Sequence, residues 1–196
     1  VIQALHLDLN ISSTEATLRN RLLNKPNYTT EYGPESVIFK DNNKTFAVKE
    51  FMIPSQFIDK SLLLNFKNNQ FYFTNPKNDQ IVFTGTINQQ NHVANQHGSW
   101  KVGIATQDQL TSTYTIHKKS LPAAVAAISS NYAVAERGKM TGILGLSYQG
   151  QDKEHITKVL NAILSAYSAQ NVARRSAETA QTLKFLDEQL PVLKKQ

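Results

Sequence analysis

After Gly150 the chain contains no glycine, and its one later proline is Pro191. Asp152 is placed to cap a helix there and Glu154 falls in its first turn, the acidic placement that suits a helix N-terminus. The stretch predicts a helix of ~38 residues, roughly 57 Å at ~1.5 Å rise per residue, against a mean of about 12 residues. Apolar residues recur at Ile156, Leu160, Ile163 and Tyr167, and again at Leu183, Leu186, Leu190 and Leu193. At ~100° per residue the second quartet is rotated by roughly 130° from the first, with Phe185 nearer the first stripe. The first quartet is expected to pack on the helix's own base. The second needs another helix or another subunit to cover it. Pro191 should kink or end the helix, since an interior proline costs about 3 kcal/mol.

Ahead of this helix the pattern is β. Val37–Phe39, Thr45–Met52, Leu62–Phe66, Gln70–Thr74, Ile81–Ile87, Lys101–Ala105 and Thr111–Ile116 are short, rich in β-branched or aromatic residues and separated by turn residues. Lys67-Asn68-Asn69 marks a hairpin, because asparagine tolerates positive φ. Asn88 to Ser99 reads as an exposed polar loop before Trp100, and the residues around Gly33-Pro34 as another loop. Val1 to Leu9 reads as a helix end feeding a short strand, and Ser13-Thr14-Glu15 as the cap of a brief helix through Leu18, Leu22 and Leu23. Ser120 with Pro122 opens an Ala-rich helix, and Tyr132–Glu136 and Ile143–Tyr148 form two strands around a glycine-bearing connection. The class is α+β: residues 1–36 as the N-terminal part of an α/β base, 37–117 as a β-rich insertion, 118–152 as the helix and strand pair of the base, and 153–196 as the long extended helix.

Composition and spacing narrow the chemistry. The chain of 196 residues has no cysteine, which removes disulfides, thiolate nucleophiles and Cys-ligated metals. The five histidines, His6, His92, His97, His117 and His155, lack any metal-ligand spacing. No Gly-x-Ser-x-Gly elbow occurs, and Gly142 and Gly145 enter a strand instead of opening a helix, so a phosphate would meet no helix N-terminus. A carboxyl pair such as Asp59 and Glu136 is arbitrary. Catalytic, cofactor-binding and metal-binding residues are therefore expected to be none. The +6 net charge is spread over the chain and never reaches a basic run of five to eight residues, which argues against nucleic acid. Arg174 and Arg175 could grip an anionic ligand or a neighbouring subunit, although a solvated helix face is the commoner role. Phe71 and Phe73 read as core. Val1 in place of methionine and an apolar-periodic close after Leu190 suggest a segment cut from a longer protein.

The last third carries a resemblance. Ala135-Glu136-Arg137-Gly138-Lys139-Met140-Thr141-Gly142-Ile143-Leu144-Gly145-Leu146-Ser147-Tyr148-Gln149-Gly150-Gln151-Asp152 is similar to the strand-turn-strand that precedes the long helix in chain-length-determinant proteins. Within the helix, Leu160-Asn161-Ala162-Ile163, Gln170-Asn171-Val172, Arg175-Ser176-Ala177-Glu178 and Leu183 to Pro191 resemble the Wzz/Wzc polysaccharide co-polymerases, particularly the Wzc-type bacterial tyrosine autokinases. Phe51-Met52-Ile53-Pro54, Lys60 to Leu64 and Gln80 to Gly85 are similar in order to the β-rich insertion of the autokinase branch.

The resemblance implies a periplasmic domain held between two inner-membrane helices, assembled as a homo-oligomeric ring, that controls polymerisation and export of capsular or exopolysaccharide. It implies a polysaccharide polymerase and an outer-membrane export channel as partners, and ATP and Mg in a separate kinase domain. The expected oligomer or polymer contacts are Arg174, Arg175, Glu178, Leu183, Leu186 and Leu190. The alternatives are a chain-length regulator without a kinase domain, or a periplasmic carbohydrate-binding module gripping polysaccharide through Asn88 to Ser99, with His92, His97 and Trp100 as its contacts.

Overall fold

The computed structural model describes residues 1–14, 28–138, 141–150 and 153–193, the side chains of 188–193 excepted. The helix expected through Leu18, Leu22 and Leu23 lies outside the described residues, as does the cap at Asp152. The chain divides into two compact units, Ile2–Asn131 and Tyr132–Gln196, with Val1 grouped with the second.

Two antiparallel five-stranded sheets build the first unit. One has the order β1 (Leu9–Ser13), β10 (Tyr114–Lys118), β5 (Ser61–Lys67), β6 (Gln70–Thr74), β7 (Ile81–Thr86). The other runs β2 (Tyr28–Tyr32), β3 (Val37–Asp41), β4 (Lys44–Met52), β9 (Gly98–Ala105), β8 (Gln90–Asn95). Alternation explains the strands: in β6, Phe71 and Phe73 are fully buried while Tyr72 between them is half-exposed. Rings from the two inner faces meet in the middle. Tyr114 of the first sheet sits 5.4 Å from Phe39 and 5.0 Å from Phe46 of the second, and Trp100 lies 4.9 Å from Phe83. Phe71 and Phe73 are core, as expected. Gly85 is required by this packing, because a Cβ there would stand 2.5 Å from Cζ of Phe71.

Two strands depart from the sequence reading. Gln90–Asn95, expected as loop, is edge strand β8, paired with β9 from Gln90↔Gly103 to Asn95↔Gly98. Its side chains are nearly all exposed, so no apolar alternation announces it. Backbone pairing and amides hold it: Asn91 accepts from Thr86 N at 2.8 Å and donates to Val102 O at 3.2 Å, and Asn95 donates to Val82 O at 2.9 Å. The second is β2, read as loop, which pairs with β3 from Tyr28↔Asp41 to Tyr32↔Val37. The opening stretch is a single 3₁₀ turn at Gln3–Leu5 ahead of β1.

Helix α1 (Leu121–Ser129) forms where serine and proline predict it, but Ser120 does not cap it with its side chain. Ser120 instead donates its backbone N–H to Oδ1 of Asp59 at 2.8 Å, and its hydroxyl bonds the same carboxylate. Those two bonds, the backbone one the larger, hold the Asp59 carboxyl below its ordinary 3.8. A lowered folded value means stability that is present above 3.8 and is lost as pH falls through the folded value. Asp59 sits at φ +61°, which asparagine also tolerates. The melting-temperature advantage of the wild type over Asp59→Asn is therefore expected at pH 6 and should vanish in strong acid. A constant difference across that range would show that the carboxylate's charge contributes nothing.

The second unit pairs β11 (Tyr132–Glu136) with β12 (Leu144–Tyr148), in register from Tyr132↔Tyr148 to Glu136↔Leu144, and continues into α2 (Lys153–Leu193) of 41 residues. Gly138 (φ +91°) and Gly142 (φ +66°) shape the hairpin connection, as the glycine-bearing reading requires. The helix passes Pro191 and is described as far as Leu193, so the proline does not stop it at once. The class is α+β, with two sheets, a hairpin and one long helix.

Candidate interaction site on the long helix

Helix α2 has two regimes. In its first three turns Val159 is fully buried and Ile156, Leu160, Ala162 and Ile163 are partly covered. Close approach of the preceding chain contributes: Ile156 Cγ1 would lie 3.3 Å from a Cβ at Gly150, and the rings of Tyr148 and His155 are 6.4 Å apart. The expected first stripe thus holds through Ile163. Tyr167, its fourth member, is exposed, because the covered face ends one turn earlier.

From Leu164 to Leu186 the apolar side chains stand in solvent. Leu183 is 58% exposed, Phe185 59%, Leu186 48% and Val172 65%. At ~100° per residue, Val172, Arg175, Leu183 and Leu186 fall within about 80° of one another. Val172, quoted in the sequence only for the family resemblance, was not placed in an apolar stripe. The signal for it is an 11-residue step, 172 to 183 and 175 to 186, which nearly closes three helical turns.

The two arginines separate on this wheel. Arg174 lies roughly opposite the stripe, where its Nε is 3.8 Å from Oε1 of Glu178 and its Nη2 donates to Asn171 Oδ1 at 3.4 Å. Such an exposed i,i+4 pair contributes only about 0.3–0.5 kcal/mol. Arg175 has the same facing as Leu183 and Leu186, about two to three turns earlier along the helix. The structure therefore groups Arg175 with Leu183 and Leu186 and sets Arg174 with Glu178 on another face.

The carbohydrate contacts expected around Trp100 are not brought together. Trp100 is completely buried against Phe83, Phe73 and Phe57, with its indole N–H on Asn95 Oδ1 at 3.2 Å, so it cannot stack on a sugar. Tryptophan in a β segment served the inner face of the sandwich. His97 packs its ring on Phe57 at 5.7 Å, and His92 meets Glu50 at 3.2 Å on the outer face of β8. Asp59 is held by Ser120, and among the described residues no three His, Asp or Glu side chains are grouped as a metal site.

No family model matches the chain. Curated relatives do. Tyrosine-protein kinase ptk of Acinetobacter johnsonii is 59% identical over 196 residues, which is all of this chain and 27% of the relative. The chain belongs to the Wzc-type tyrosine-protein kinases. The putative tyrosine-protein kinase AmsA of Erwinia amylovora is 31% identical over 157 residues, covering 80% of the chain and 21% of that protein. Tyrosine-protein kinase wzc of Salmonella typhimurium is 38% identical over 78 residues, covering 40% and 11%. The chain thus spans about a quarter or less of the curated relatives it matches.

Kinases use ATP and Mg, and the described residues of this Wzc-type segment do not fit that group. Gly145 lies within β12, so among the described residues it opens no helix toward a phosphate. No helix among the described residues is long and apolar enough to cross a membrane. What the Wzc-type segment offers instead is the exposed face of α2.

Proposed function

We propose that this chain is the periplasmic, non-catalytic assembly segment of a Wzc-type polysaccharide co-polymerase. Its parent is anchored in the inner membrane, assembles as a ring and controls polymerisation, chain length and export of capsular or exopolysaccharide. The observation that carries the reading is the 41-residue helix whose distal half exposes Val172, Leu183 and Leu186 on one face. A monomeric protein seldom leaves such a stripe uncovered, and a second helix of the same kind covers it in an assembly. The match of the whole chain to a tyrosine-protein kinase supplies the parent. ATP and Mg then act in the kinase domain, and the polymerase and the export channel are the partners of the assembled parent.

The test uses the full-length parent. Purified in detergent and given Mg-ATP, it should acquire phosphotyrosine, read by mass spectrometry. A parent from which residues 1–196 are deleted should still phosphorylate an added tyrosine peptide, while cells carrying it should lose the normal polymer size distribution on a gel. Unchanged polymer size would overturn the assignment of length control to this segment. Loss of peptide phosphorylation would overturn its being non-catalytic.

A further inference from the structure

The loops at one end of the sandwich enclose a cleft of about 760 Å³, a size within the ~300–1,000 Å³ range of ligand sites. Three connections build it: the β5–β6 turn, the β7–β8 turn and the segment between β9 and β10. Its floor is apolar, with Leu110 buried and Phe66 and Ile87 partly covered. Its rim is amide-rich, carrying Asn69, Gln107 and Gln109, all exposed.

The frame of the cleft is fixed before anything binds. Asn88 donates to Thr106 O and accepts from Thr106 N, both at 2.9 Å, which ties the β7–β8 turn to the far loop. The Thr106 hydroxyl donates to Thr45 O at 2.7 Å, and Asp108 Oδ2 accepts from Thr45 N at 2.7 Å. Asp108, the lining's one carboxylate, is therefore committed to the scaffold, and Lys67 is its one cation. Free amides around an apolar floor donate and accept equally well and carry no net field. That combination matches hydroxyl groups arrayed around the apolar face of a sugar ring, and it gives no advantage to a phosphate or a polyanion.

We infer that the cleft between Phe66, Ile87 and Leu110 is a binding site for an uncharged oligosaccharide segment, held by the amides of Asn69, Gln107 and Gln109. The inference rests on the proposed function for its ligand class, since a segment placed on a growing polysaccharide meets such a ligand. It lies at the opposite end of β8 from His97, away from the contacts that Trp100 suggested. Because its frame is preorganised, little ordering cost opposes binding.

The probe is the exopolysaccharide of the producing cells, cut by mild acid to short oligosaccharides and titrated into the ¹⁵N-labelled 196-residue chain. Amide signals of residues 66–69, 87–89 and 106–111 should shift together, while inorganic phosphate leaves them in place. Gln107→Ala with Gln109→Ala should weaken binding about tenfold at an unchanged melting temperature. Asn69→Gly, which keeps the positive φ of that turn (+62°), should weaken it separately. No shifts, shifts confined to the His97 end, or equal shifts with phosphate would each overturn the site. The outcomes separate from those of the parent assay. If deletion of residues 1–196 changes polymer size yet no oligosaccharide binds, the cleft fails and the function stands. If oligosaccharide binds at the cleft while polymer size is unchanged, the reverse holds.

Discussion

Leu183→Glu combined with Leu186→Glu is expected to dissociate the proposed assembly of the parent while leaving this chain folded. Both side chains are about half or more exposed, so the folded chain gains charge where it already meets water, and its stability should change by no more than about 0.5 kcal/mol. Across an interface the balance differs. Each leucine gains roughly 1.5–3 kcal/mol on going from fully exposed to fully buried, and these two are already about half covered, so losing both costs about 1.5–3 kcal/mol per contact, or roughly 10–10² in association constant, before the penalty for burying a carboxylate. The measurement belongs on the full-length parent, because the proposed membrane tethering raises effective concentration in a way the isolated chain lacks. Crosslinking in membranes should fall from oligomer to monomer, and phosphorylation between copies should fall with it. Arg175→Glu, on the same face, should weaken assembly, whereas Arg174→Glu, on the other face and paired with Glu178, should have little effect. Intact oligomers in the leucine double variant, or equal effects of the two arginines, would remove this face from the interface.

That asymmetry shows where sequence reading stopped. The helix itself was legible because the 46 residues after Gly150 contain no glycine, and the hairpin at Lys67-Asn68-Asn69 was legible because positive φ at Asn68 and Asn69 is what asparagine supplies. The two strands before α2 and the Ala-rich helix α1 were legible for similar local reasons. Strand β8 was not, since an edge strand held by backbone pairing and by Asn91 and Asn95 needs no apolar alternation. The division of strands between two sheets was equally hidden. It depends on pairings such as Leu9↔Lys118 and Val48↔Ile104, which join residues distant in sequence. On the helix, the apolar spacing gave the stripe, but adjacent arginines look alike until their facing is worked out and Glu178 is seen beside one of them.

Trp100→Ala is expected to unfold the sandwich unit at temperatures the wild type survives. The indole has no exposed surface and stacks at 27° on Phe83 with centroids 4.9 Å apart, with Phe57 at 5.2 Å and Phe73 at 6.1 Å. Its removal leaves a cavity at the meeting point of both sheets and frees one bond of Asn95, for a cost of about 3–5 kcal/mol. In a unit of this size that corresponds to a fall of roughly 10–20 °C in melting temperature. Trp100→Phe keeps most of the ring contact and loses the N–H on Asn95, whose side chain also bonds Val82 O and His97 N, so it should cost about 1–2 kcal/mol. Calorimetry on the three proteins, paired with the oligosaccharide titration, separates the two roles the residue could play. A tryptophan that contacts sugar would lose affinity at an unchanged melting temperature. A core tryptophan loses stability first, and the Phe variant, still folded, binds as well as the wild type because the cleft at Phe66 and Leu110 lies at the other end of the strands.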